Sequence, residues 1–523
     1  ADSVSKLQDL ERTLIGDVLV VSAFISDLGP FDRKFRLRLL EQWGKFLKDH
    51  DVPSAENVDP IALLTDEATI AQWGNEALPT DRVSIENAAI VTSCERWPLL
   101  IDPQLQGIKW IKTRLAEKDL RVCRLNQPKF IDIIERALGL GDPCLIENID
   151  ETIDAVLNPV VNRDLVRKGR SFFTKLGDKE VEVDKKFKLF LQTKLGNPHY
   201  QPEIQAQTTL INFTVTEEGL EDQLLALVVN EERPDLEAQK SQLMRQQNEY
   251  KIELKKLEDA LLERLSQATG DILSDTSLIE NLEHTKAMAK EIGENLDLAK
   301  ETEADINRTR EKYRPVARRS ALMYFLINSL NMIDHLYQFS LAAFTVVFYK
   351  AIRKAEKSDD VEKRVQTLVD DISFAVYAYS SRGLFERHKL IFSSQLALKI
   401  QLQDGILNLK EVDYLLRGPQ NLKKENTMSD WLSDSCWYNV VALSDVSQEF
   451  ERLPADMEGS SKRWKEWSDY ECPELEKLPQ EWKNKTDFQQ LCVIRALRPD
   501  RMQNALVRWI QNGIGAQFVD PLP

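Results

Sequence analysis

Between Leu236 and Tyr313 the residues fit to form a seam recur in alternating steps of four and three. They are Leu236, Lys240, Leu243, Gln247, Tyr250, Leu254, Leu257 and Leu261, then Leu278, Leu282, Thr285, Ala289, Ile292, Leu296, Ala299, Glu303, Ile306, Arg310 and Tyr313. A 3.5-residue period keeps one narrow stripe facing a partner helix. The short polar break QATGDILSD, Gln267 to Asp275, separates the two arms and lets the second fold back on the first. At 1.5 Å per residue each arm is ~45 to 55 Å long. The expectation is an antiparallel coiled-coil hairpin projecting from a globular part, against the alternative of two amphipathic helices lying flat on it. Lys240, Gln247, Glu303 and Arg310 place polar groups on the seam. The coil is therefore weak, which suits a strut better than a rod.

The hairpin, 236-313, divides the chain. Residues 1-235 alternate between helix and strand. LIGDVLVVSAFISDLG (Leu14 to Gly29) reads as an apolar helix closed by Gly29 and Pro30. AAIVTS (Ala88 to Ser93), CLIEN (Cys144 to Asn148), FKLFLQT (Phe187 to Thr193) and TLINFTV (Thr209 to Val215) read as short apolar strands. Helical runs lie between them, QGIKWIKTRLAEK (Gln106 to Lys118) and KFIDIIERALGLG (Lys129 to Gly141). This alternation predicts an α/β domain, a mostly parallel sheet with helices on both faces. Residues 314-523 read as all-α, because Ala317 to Ala355 carries apolar residues on several faces, as buried bundle helices do. Six of the ten tryptophans, Trp431, Trp437, Trp464, Trp467, Trp482 and Trp509, fall after Thr427. Their charged neighbours in KRWKEWSDYE predict surface-anchored rings rather than a cofactor cage.

Charge narrows the partners. Against 69 basic side chains stand 85 acidic ones, a formal charge of -16 over 523 residues. Such a chain is a poor ligand for nucleic acid or for an anionic membrane. FSLAAFTVVFY, Phe339 to Tyr349, falls short of the roughly 20 residues that span a bilayer. The first twenty residues carry acids and lack the basic start and apolar core of a signal peptide. The six cysteines include no CxxC pair, so reduced, buried thiols in a cytosolic compartment are expected. None of the five histidines is spaced with another ligand as zinc requires, and no metal is expected.

One run has the layout of a phosphate-binding loop: strand, loop, then a helix opening near a lysine, in RWPLLIDPQLQGIKWIK (Arg96 to Lys112). A working loop needs GxxxxGK[ST], in which glycines let backbone N–H groups close on the phosphates and a hydroxyl holds magnesium. Aligned on Lys109, the glycine positions hold Pro103 and Ile108, and the hydroxyl position holds Trp110. Proline removes a donor, isoleucine resists positive φ, and tryptophan cannot ligate magnesium. CLIEN ends where a pair of acids would hold the metal and activate water. Glu147 could approach a metal, but the amide of Asn148 cannot accept water's proton. Asn197, after the next strand, could sense nucleotide. In this order the residues outline a nucleotide-binding fold that has lost its nucleotide chemistry.

The same residues carry a family resemblance. LPTDRVSIENAAIV (Leu78 to Val91), the Arg96 to Lys112 run, KLGNPHYQPE (Lys194 to Glu203) and NFTVTEEGLEDQLLALVVNEERPDLE (Asn212 to Glu237) resemble the fifth AAA+ module of the dynein heavy chain. YRPVARRSALMYF (Tyr313 to Phe325), LYQFSL (Leu336 to Leu341), LFERHKLIF (Leu384 to Phe392) and RALRPDRM (Arg495 to Met502) continue it. DMEGSSKRWKEW and ECPELEKLPQEWK (Glu471 to Lys483) are most similar to the outer-arm β-type axonemal dyneins. The resemblance implies a degenerate AAA+ large subdomain (1-235), the buttress or strut (236-313), and a helical small subdomain leading to the sixth module (314-523). It places the chain in the cytoskeleton, in the axoneme of a cilium or flagellum. It further implies that the stalk and its microtubule-binding tip lie wholly upstream, with the four preceding modules. Those modules would hold ATP and magnesium, this segment none. The implied partners are the rest of the motor ring and the stalk, with intermediate chains, light chains and microtubules met through other regions.

Three readings follow from the residues and the resemblance together. The chain is a mechanical segment of a ciliary motor; or a nucleotide switch using Lys109, Glu147 and Asn197; or a free-standing, catalytically dead scaffold. The acidic balance argues against direct microtubule binding by this piece, since tubulin's surface is acidic too.

Overall fold

The computed structural model describes residues 2–267, 276–418 and 425–521; the chain divides into two units, Ala1–Glu311 and Lys312–Pro523. In the first unit, α1 (Asp2–Asp27) and α2 (Arg33–Asp49) lead through α3 (Pro60–Leu64) and α4 (Glu67–Asn75) to α5 (Arg82–Ser93). Asp32, Asp59, Asp66 and Asp81 start α2 to α5, each accepting a backbone N–H of the helix that follows. Next come β1 (Trp97–Ile101), α6 (Gln106–Arg114), β2 (Arg121–Arg124), α7 (Phe130–Leu140), β3 (Cys144–Glu147) and α8 (Asn158–Val161). A ribbon of β4 (Val166–Lys168), β5 (Ser171–Leu176) and β6 (Lys179–Val183) precedes β7 (Leu189–Thr193), α9 (Pro202–Gln207), β8 (Thr208–Asn212) and α10 (Glu217–Glu232).

The main sheet has the order β2-β3-β7-β1-β8 and every pairing in it is parallel. In β1, Leu99 lies opposite Leu191 on one side and Leu210 on the other. Alternation along β1 feeds two cores. Leu100 joins Leu145, Phe190 and Ile211 under α5 and α6, while Leu99 joins Ile146, Leu189 and Leu191 under α7. Burial on both faces is what a parallel sheet requires. Chain order reverses beside β1, so the carboxyl end of that strand opens into a crevice.

Two expectations are corrected here. AAIVTS is not a strand but the last half of α5, and the strand before the loop is Trp97–Ile101. Ala88, Ala89 and Ile90 are wholly buried against the sheet, and a short, fully apolar run has the same signature in either conformation. The ribbon β4–β6, antiparallel throughout, was not foreseen, because its strands are short and rich in lysine and glutamate.

α11 (Pro234–Gln267) and α12 (Thr276–Arg310) close the unit. Arg310 Nε donates to Glu237 Oε2 at 3.0 Å, Lys240 Nζ to Asn307 Oδ1 at 2.9 Å, and Gln247 Nε2 to Glu303 Oε2 at 3.1 Å. Partner numbers fall along α12 as they rise along α11. All four polar seam residues thus find partners on the facing helix, and Ile292, Ala299 and Ile306 are buried between them. Residues 268–275 of the break, and the side chains of Leu261, Leu278, Leu282, Thr285, Ala289 and Leu296, lie outside the described residues. α11 also lies along α4. Asn248 bonds Asn75 at 3.0 Å, and Lys251 and Lys255 pair with Glu67 and Asp66 at 3.3 and 3.8 Å. Over that stretch the arm does not stand clear of the globular body.

The second unit has no strand among its described residues. Its helices are α13 (Arg314–Asn328), α14 (Leu341–Lys354), α15 (Val361–Ser381), α16 (Glu386–Gln403), α17 (Leu409–Arg417), α18 (Asp434–Ser444), α19 (Leu453–Gly459), α20 (Ser461–Asp469), α21 (Asp487–Leu497) and α22 (Met502–Ile514). Tyr377 and Ser393, on α15 and α16, both donate to the Phe518 carbonyl at 2.6 Å and fasten the carboxyl end. Five of the six tryptophans are core, not surface rings: Trp437, Trp464, Trp467, Trp482 and Trp509 are buried, while Trp431 is half-buried. Trp464 and Trp482 donate to one oxygen of Asp456 at 3.1 and 3.0 Å. Trp464 and Trp467 are three apart and share a face of α20, so their charged neighbours point elsewhere. All six cysteines are free. Among the described residues no helix is long and apolar enough to cross a membrane, and no cluster of His, Cys, Asp or Glu could hold a metal.

Candidate functional site: a cleft at the carboxyl edge of the sheet

Beyond Ile101 the chain turns sharply into α6. The turn is made at Leu105, which holds φ 62. Just before it lies Asp102, fully buried. Its Oδ1 accepts from the Gln106 N–H and its Oδ2 from the Ile108 N–H, both at 2.9 Å. These are unpaired first-turn donors of a helix following a β-strand, the place where such a fold binds phosphate. Here a carboxylate of the same chain fills it. Burial pushes the Asp102 carboxyl up to about 6, with the N–H groups of Ile108, Gln106, Gly107 and Leu105 pulling the other way. At neutral pH it is still an anion.

The other edges are tied to this turn. Gln192 on β7 donates to the Asp102 carbonyl at 3.0 Å and accepts from the Asn148 N–H at 2.9 Å. Asn148 itself is left-handed, φ 55. Glu147, ending β3, is held between Lys112 at 2.5 Å and Arg124 at 3.1 Å. Burial raises its pKa, but those two cations outweigh burial and hold it below the usual range.

A cleft of about 260 Å³ opens over these groups, lined by Ile108, Lys109, Glu147 and Asn148 from the sequence candidates and by Lys112, Arg124, Gln192 and Lys194 besides. The remaining candidates lie elsewhere. Pro103 is half-buried in the turn and does not line the cleft. Trp110 faces the core, its indole N–H on Glu76 at 3.1 Å and its ring edge-on to Trp73 at 6.0 Å. Asn197 is exposed and outside the cleft; the polar side chain beside the crevice is Gln192. Ile108 has no need of positive φ, because it lies inside α6 and Leu105 takes the left-handed position instead. Gly107 is required for another reason: a Cβ there would sit 2.9 Å from Phe213 and 3.0 Å from Leu100.

The phosphate position holds an anion, the metal-side acid is neutralised by two cations, and the neighbouring amide cannot act as base. Asp102 could have been found in the sequence, since aspartate ahead of an apolar-periodic segment is a helix-start signal. Gln192, Lys112 and Arg124 carried no such signal.

Residues 71–292 match the family model described as the ATP-binding dynein motor region, and residues 1–47 match that of the microtubule-binding stalk of dynein motor. The second match corrects the expectation that the stalk lies wholly upstream. α1 also bears Leu14, Ile15, Val18 and Leu19 exposed along one side, which the sequence had presented as an ordinary apolar helix. The ciliary dynein β chain of Tripneustes gratilla is 51% identical over 522 residues, covering 99% of this chain and 12% of its own length. Human dynein axonemal heavy chain 9 gives the same identity and coverage. The flagellar outer-arm β chain of Chlamydomonas reinhardtii is 47% identical over 536 residues, again 99% and 12%. The chain thus spans about an eighth of the length of these relatives. With parallel sheet, degenerate phosphate loop and near-complete coverage in agreement, the chain belongs to the axonemal dynein heavy chains and is a segment of the outer-arm β type.

Proposed function

We propose that this segment is a mechanical, non-hydrolysing part of the motor: the fifth AAA+ module of the ring, whose α11 and α12 form an antiparallel coiled-coil strut that passes ring movement to the stalk. In this reading residues 1-235 are the large subdomain, with the end of the stalk entering at α1, and residues 314-523 are the small subdomain and its connection to the sixth module. ATP and magnesium act in other modules. Intermediate chains, light chains and microtubules are engaged through other regions, and the setting is the axoneme of a cilium or flagellum. The observation that carries the reading is the double attachment of α11, to α12 through Arg310–Glu237 and Gln247–Glu303 and to α4 through Lys251–Glu67. A helix held on both sides moves as one body with its module. The Asp102 carboxylate at the head of α6 supports the non-hydrolytic half.

The test is made in the full motor. Removing one heptad from each arm beyond Lys255 should leave basal ATPase near wild type and abolish its stimulation by microtubules. Retained stimulation would overturn the mechanical role. The nucleotide-switch reading is tested on this segment by calorimetric titration with magnesium ATP, for which no heat of binding below millimolar concentration is expected.

A further inference from the structure

At the opposite, amino edge of the same sheet lies a second cavity, of about 440 Å³. Its floor is apolar, formed by Leu115, Pro143 and the edge of Phe190 over the buried Trp110 and Ile111. Its rim carries Lys118, after α6, and Lys186 and Lys188, in the approach to β7. None of these three ammonium groups forms an ion pair among the described residues. Two nearby pairs are already committed: Arg114, on the wall, pairs with Glu76 at 3.0 Å, and Asp142 with Arg121 at 3.0 Å. Asp184, which accepts the Lys186 N–H at 2.7 Å, keeps its negative charge beside Gly141, so the three lysines outnumber the nearby anion. Three unpaired cations around an apolar bowl run against the grain of a chain with formal charge -16.

We propose that this cavity binds a small amphipathic anion, an aromatic or short acyl body with one or two negative charges at its head. The body rests on Leu115, Pro143 and Phe190, and a carboxylate, sulfonate or phosphate head meets Lys118, Lys186 and Lys188. The volume falls within the roughly 300–1,000 Å³ of small-molecule sites, and an apolar floor with a few convergent charges is their usual make-up. α6 presents its carboxyl end here, where the helix dipole disfavours anions. The lysines alone supply the attraction, so affinity falls steeply with salt.

The probe is anilinonaphthalene sulfonate, titrated by fluorescence into the whole 523-residue chain, with its uncharged analogue phenylnaphthylamine as control. One saturable site is expected, weakened at least about tenfold in a Lys118→Glu/Lys188→Glu variant and about tenfold for the uncharged analogue. Thr92→Phe, which puts a ring into the cavity, should abolish the site; the lysine variant, altered only at exposed positions, keeps the test open if Thr92→Phe misfolds. Unchanged dye affinity in the lysine variant overturns the proposal, as does equal binding of the uncharged analogue. Displacement of the dye by a short acidic aromatic peptide but not by naphthalene sulfonate also overturns it, pointing to a protein partner instead.

Discussion

Asp102→Asn keeps the shape of the side chain and removes its charge, so it isolates what the buried anion does to the fold. The folded carboxyl stands at about 6 against an ordinary 3.8, because burial outweighs the N–H groups of Ile108, Gln106, Gly107 and Leu105. A folded value above the unfolded one means that the folded chain holds more proton between pH 4 and 6. Stability therefore falls as pH rises through that window and levels off above it. Roughly two pH units at 1.36 kcal/mol each make the fall about 3 kcal/mol. The protonated acid and the amide are near-isosteres before the same two N–H donors, so the two chains should match within about 1 kcal/mol at pH 4. By pH 7 the D102N chain should be the more stable by about 3 kcal/mol. Urea midpoints at four pH values, read by pulsed hydrogen exchange on the peptide spanning α6, measure the difference. A gap that stays constant with pH refutes the reasoning. A gap of opposite sign would mean that the N–H donors dominate burial, as they do at ordinary helix caps.

Three further outcomes are expected. Asp102→Gly frees the first-turn donors of α6, so inorganic pyrophosphate should gain a measurable calorimetric signal that the parent chain lacks. Gly107→Ala forces a Cβ to within 2.9 Å of the Phe213 ring and should cost about 1–3 kcal/mol of unit stability in urea, as overpacking does. Arg310→Met strands Glu237 in a half-buried pair whose side chains are 6% and 18% exposed. It should lower stability by about 3 kcal/mol, and the double change with Glu237→Leu should recover most of that loss by thermal unfolding.

What could be read in the chain and what could not divide along physical lines. The strands ending at Glu147, Thr193 and Asn212 were legible because they are apolar runs bounded by polar turns. The part of the seam that pairs Glu237, Lys240 and Gln247 with Glu303, Asn307 and Arg310 was legible because its period extends over many turns. α5 was misread because Ala88 to Val91 are buried on every side, and period vanishes when every position is apolar. β2 and the β4–β6 ribbon hid behind arginine, lysine and glutamate, which edge and surface strands tolerate. The tryptophans misled for the converse reason: one face of α20 is core, and its charged neighbours occupy the other. At the cleft, Pro103, Ile108 and Trp110 announced what the loop lacks. What replaces the phosphate, Asp102, acts on backbone N–H groups, and these have no letter in a sequence.

The attachment of α11 to α4 has a consequence for bending. α11 has 34 residues, ~51 Å at 1.5 Å each, and the ties to α4 described above reach as far as Lys255, ~18 Å short of Gln267. A beam clamped at one end resists deflection as the inverse cube of its free length, so clamping at Lys255 rather than at Pro234 stiffens the tip about twentyfold. The arm resembles a bracket more than a hinged lever. Bending between Pro234 and Lys255 is resisted by the contacts with α4, so this part of α11 keeps its direction relative to that helix.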